Sequence, residues 1–73
     1  MKEKLERLVV RLDDTTRLDN RQDQITYWNE SLYDLREIAL KNNDNTLYTI
    51  WDSGRCANED MVILALELYI KTL

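Results

Sequence analysis

Two apolar stripes that cannot share one straight helix constrain this chain more than any other feature of its sequence. Leu5, Leu8, Val9 and Leu12 recur at helical spacing, and so do Ile25, Trp28, Leu32, Leu35 and Ala39. At 100° per residue the stripes point roughly 170° apart on a continuous cylinder. A single helix over residues 2–41 would therefore turn its apolar faces to opposite sides. A break within 13–20 brings both toward one core. Asp13-Asp14-Thr15-Thr16 is the poorest helix-forming stretch in the region. Asp19 follows, three residues ahead of Gln22, at the spacing of a capping box. These features predict an antiparallel helical pair over 2–14 and 20–41 with a short connection.

Asn42-Asn43-Asp44-Asn45 ends the second helix, because these side chains compete for backbone hydrogen bonds and favour turns and caps. Leu47, Tyr48, Ile50 and Trp51 suit a short helix over 46–52, while the Thr, Tyr, Ile and Trp content of 46–51 suits a strand equally. Gly54 is the natural left-handed residue to close that segment. Asn58 is a good N-cap for a last helix over 58–72, and Glu59 and Asp60 place negative charge where its dipole favours it. The expected fold is an all-α bundle of three to four helices forming one small domain over 1–73. An α+β arrangement with 46–51 as a strand is the alternative.

Apart from Glu67 and Lys71, the last helix is apolar all round and calls for cover on more than one side. A chain of 73 residues lies near the lower limit for a self-sufficient core. Three other short elements cannot enclose this helix completely. The expectation is a homodimer associating through Met61, Ile63, Leu64 and Leu68, where pairing supplies the missing stability.

The composition removes most chemistry. There is no His and no Pro, with one Gly and one Cys, so disulfide scaffolds, Cys/His zinc sites and Gly-rich phosphate loops are excluded. Cys56 follows Arg55 and precedes the Asn58 cap, a setting that can lower a thiol pKa. With no His to activate it and no second Cys to resolve it, it reads as a small semi-buried apolar residue. Neither Asp13/Asp14, Glu59/Asp60 nor the Asn42 to Asn45 cluster has the ligand spacing of a calcium loop. The expectation is a non-enzymatic chain with no catalytic residues, no cofactor and no metal. Its longest apolar run, 61–66, is six residues, against about twenty for a membrane span. The N-terminus has no secretory apolar stretch. A cytoplasmic protein is expected.

The net charge of −4 is uneven. Through Gln22 there are six basic and five acidic residues; from Asp23 onward there are four basic and nine acidic. A negative field repels phosphate backbones and speeds encounter with basic surfaces. All six aromatic residues are Trp or Tyr, side chains that carry binding hot spots. Trp28 lies on the core stripe. Tyr27 and Tyr33 fall off it and, with Glu30, Asp34 and Glu37, would form an acidic, tyrosine-bearing face. The expected function is a protein–protein interaction module that docks this face on a basic surface of a larger protein. By analogy of size and charge it would be a compact inhibitor or regulator of the phage or mobile-element type, with carboxylates standing in for phosphates on a nucleic-acid-handling partner. The alternatives are a self-assembling structural or adaptor subunit and a small transcriptional regulator. The latter is disfavoured because the one basic stripe, Lys4, Arg7 and Arg11, is interleaved with Glu3 and Glu6. Direct nucleic-acid and membrane binding are not expected.

Overall fold

The two out-of-phase stripes are resolved by a break at residues 16–20. In the computed structural model, which describes residues 1–55 and 59–73, helix α1 runs Lys2–Thr15, α2 Arg21–Lys41, α3 Asn45–Gly54 and α4 Glu59–Lys71. The chain is an all-α bundle with no strand among the described residues, and segment 46–51 is helical. Here α1 packs on α2 and α4, and α3 packs on the same two helices, closing a four-membered ring. Among the described residues no helix is long and apolar enough to cross a membrane.

Each connection is stabilised by local chemistry. At the end of α1, Thr15 and Thr16 turn their hydroxyls back to the Arg11 and Asp13 carbonyls at 2.9 and 2.6 Å, side-chain bonds that compete with further helix. Gln24 reaches back from α2 to the Leu18 carbonyl at 2.5 Å. The N-cap of α2 is Asn20, whose side chain accepts from the Asp23 amide at 3.1 Å. This corrects the expected Asp19–Gln22 box by one residue: Asn20 has the extended backbone that a cap requires. After α2, Asn43 takes a positive φ of 50°, tolerable for Asn, and the Asp44 amide returns to the Ala39 carbonyl at 2.9 Å. The Asn58 cap and Cys56 lie outside the described residues.

The core is a single apolar cluster. Leu5, Leu8 and Leu12 of α1 meet Trp28, Leu32, Leu35 and Ala39 of α2, Leu47 of α3, and Val62, Ile63 and Leu66 of α4. Two expectations are corrected. Ile25, assigned to the α2 stripe, is 43% exposed. The 10-residue α3 spans about 15 Å and the 21-residue α2 about 31 Å. Running back from Asp44, α3 ends beside Leu32 and leaves the N-terminal turns of α2 uncovered on that side. Ile63 is 9% exposed and belongs to the core, so it is not part of an outward face.

Gly54 is also corrected. It is the last helical residue of α3 and has no positive φ. Its value is its missing side chain: a Cβ there would stand 3.1 Å from Leu32 Cδ2 and 3.2 Å from Val62 Cγ2. The glycine lets α2, α3 and α4 converge at one point. Replacing it with Val should lower unfolding stability by about 2 kcal/mol through overpacking, measured by urea denaturation.

Asp44 ties the other end of α3 to α4. Its carboxylate accepts from the Leu47 amide at 3.1 Å, capping α3, and from the Tyr69 hydroxyl of α4. The Tyr69 hydrogen bond holds the Asp44 carboxyl below its ordinary value of 3.8. In turn the Asp44 carboxylate raises the Tyr69 phenol above 10.0. A lowered acid contributes stability above the ordinary carboxylate pKa, lost as pH falls through the folded value. A raised phenol contributes stability below 10.0, lost as pH rises through the folded value. The stability difference between wild type and Tyr69→Phe should therefore be largest from about pH 5 to about pH 9 and shrink toward about pH 3 and about pH 11, read from urea midpoints.

Candidate functional site

With its core stripe buried, α2 presents the opposite side of a rigid 21-residue rod. At 100° per residue, Tyr33, Glu37, Glu30, Asp34 and Tyr27 sweep roughly 120° of that outward side. Tyr27 is 51% and Tyr33 58% exposed. The five residues expected to form an acidic, tyrosine-bearing face thus share one face of one helix.

They are not equivalent. Asp34 accepts from Arg11 Nη1 at 2.7 Å, and so ties α2 to α1. Both side chains are about half exposed, 51% and 48%, so this pair adds orientation more than stability. Glu37 lies 3.6 Å from its neighbour Arg36. Glu30 is exposed, and among the described residues no ion pair or hydrogen bond engages its side chain.

Electrostatics divide the face along its length. A shallow groove of about 500 Å³ between α1 and α2 is lined by Lys4, Arg7, Arg11 and Lys41 over a floor of Leu8 and Ile38. Asp34 and Glu37 line the same groove beside these cations. Glu30 and Tyr33 do not line it. The least engaged acid of the face is therefore Glu30, with the exposed Tyr33 beside it and Tyr27 toward α1. The remaining acids singled out in the sequence serve locally. Asp13 and Asp14 pair with Arg17 at 2.9 and 3.5 Å, and Glu59 and Asp60 occupy the first turn of α4 where the helix dipole favours them.

A second aromatic cluster escaped the sequence reading. The half-buried Trp51 ring has Arg55 at 4.9 Å and Arg36 at 5.6 Å from its centroid, within cation–π range. Tyr48 stacks obliquely on it with ring centroids 5.1 Å apart. Tyr48, Trp51 and Arg55 were legible as one helical stripe once 46–51 was taken as helix. Arg36 arrives from α2, and nothing local announces it. It stands three residues from Tyr33, so the aromatic cluster continues the α2 face around its side.

No protein family, curated protein or solved structure matches the chain.

The engagement of Asp34 makes a simple distinction testable. Asp34→Ala should cost less than about 1 kcal/mol of stability, whereas Leu35→Ala, one residue on but fully buried, should cost about 2–5 kcal/mol; chemical denaturation of the two variants measures both.

Proposed function

We propose that this chain is a non-enzymatic interaction module that docks the outward face of α2 on a basic surface of a larger protein. The observation that carries the reading is the unengaged Glu30 carboxylate between two tyrosines that are 51% and 58% exposed, all on a helix immobilised from behind. Tyrosine supplies a large amphipathic contact at small entropic cost, and it is enriched where binding energy concentrates. Carboxylates around it set register and speed encounter with cations. The footprint centres on Glu30, Tyr33 and Glu37, with Tyr27 and Asp34 at its α1 edge and the Trp51 cluster at its other side. Spaced carboxylates on a rigid rod offer the same hydrogen-bond acceptors as phosphates. The partner class is accordingly a nucleic-acid-handling protein whose cationic surface is blocked, and the chain acts as a small inhibitor or regulator.

The test uses the immobilised chain against host lysate, with the captured protein then purified for titration calorimetry. Glu30→Lys/Glu37→Lys should weaken binding at least about tenfold, and raising the salt to about 0.5 M should weaken wild-type binding in parallel. Asp34 is left intact in this variant so that the Arg11 tie survives. Unchanged affinity with unchanged salt dependence would refute the docking face, and unchanged far-ultraviolet circular dichroism verifies that the variant folds.

A further inference from the structure

The helix α4 has two apolar sides. One, carrying Val62, Ile63 and Leu66, is in the core. The other carries Met61, Leu64 and Leu68, which are 62%, 52% and 55% exposed. Their three-four spacing aligns them in a straight seam diametrically opposite the core side. An apolar groove of about 250 Å³ runs beside this seam, lined by Ile50 of α3 and Met61, Val62 and Ala65 of α4. Because the backbone of α4 comes close to those of α1 and α3 and not to that of α2 among the described residues, the seam is separate from the docking face and both can be occupied together.

We propose that this seam is the interface of a homodimer in which α4 packs antiparallel against α4 of a second copy. The charge pattern selects both the occupant and its direction. In the antiparallel register that pairs Leu64 with Leu68 of the second copy, and Leu68 with its Leu64, Lys71 at one end falls beside Asp60 of the other chain. This happens twice by symmetry. Met61 then packs on the aliphatic stem of Lys71. In a parallel pair Lys71 would face Lys71 across the seam, placing like charges in an apolar contact. Glu67 lies about a quarter turn from the seam and stays in water. The groove beside Ala65 gives the facing helix an apolar surface beyond the three seam residues. A stable interface needs about 600 Å² per partner, and this seam lies on a single 13-residue helix. The dimer is accordingly weak and concentration-dependent. Each dimer displays two α2 faces, so it would engage a repeated or two-fold basic surface bivalently.

Sedimentation velocity of the full chain from about 10 µM to about 1 mM should show a monomer–dimer equilibrium within that range. Leu64→Glu/Leu68→Glu should remain monomeric throughout with unchanged helical circular dichroism. Lys71→Asp alone should weaken the dimer several-fold, and Asp60→Lys/Lys71→Asp should recover it relative to either single variant. A wild type that stays monomeric at about 1 mM, or a Leu64→Glu/Leu68→Glu variant that still dimerises, would overturn the interface. A dimer strengthened by Lys71→Asp alone, or not recovered by the charge swap, would overturn the antiparallel arrangement.

Discussion

Everything in this fold depends on a few leucines, drawn from all four helices, meeting in one small cluster. Leu5, Leu8 and Leu12 of α1, Leu35 of α2, Leu47 of α3 and Leu66 of α4 are the largest fully buried side chains. No helix carries a complete core of its own, and the bundle closes because α4 returns to pack on α1. A chain this short buries too little surface to lose one of these contributions cheaply. Loss of any one helix therefore exposes the apolar stripes of its two neighbours.

Two devices at opposite ends of α3 let the ring close. Asp44 caps the helix and holds Tyr69, so one carboxylate fixes both where α3 begins and where the far end of α4 lies. At the other end Gly54 removes the atom that would keep Leu32 and Val62 apart. Between them α3 is short, and its shortness has consequences at a distance. It leaves Ile25 uncovered and brings Trp51 up to Arg36 on α2.

The surfaces left over divide by character. The outward side of α2 is tyrosine-bearing and acidic, and its stiffness comes from the core behind it. The outer side of α4 is apolar and flanked by charges of both signs. Rigid presentation of a few anchor side chains is what protein recognition rewards, because little conformational freedom remains to be lost on binding. The two surfaces lie on helices whose backbones do not approach each other closely among the described residues, so the proposed self-association and the proposed docking use separate sides of the bundle.

Phase and spacing were readable from the sequence alone. The opposed stripes required a break before Arg21, the Asn-rich run placed the end of α2, and the off-stripe positions of Tyr27, Glu30, Tyr33 and Glu37 foretold an exposed face. All of these are properties of residues close together along the chain. What tertiary packing alone decided involves residues far apart in sequence. It made segment 46–51 a helix, because the pocket formed by α2 and α4 takes Leu47. It made Gly54 a point of close approach and not a turn, sent Ile63 inward and Ile25 outward, and spent Asp34 on Arg11. Local sequence states which side of a helix is apolar; only the length and position of the neighbouring helices determine how much of that side is covered.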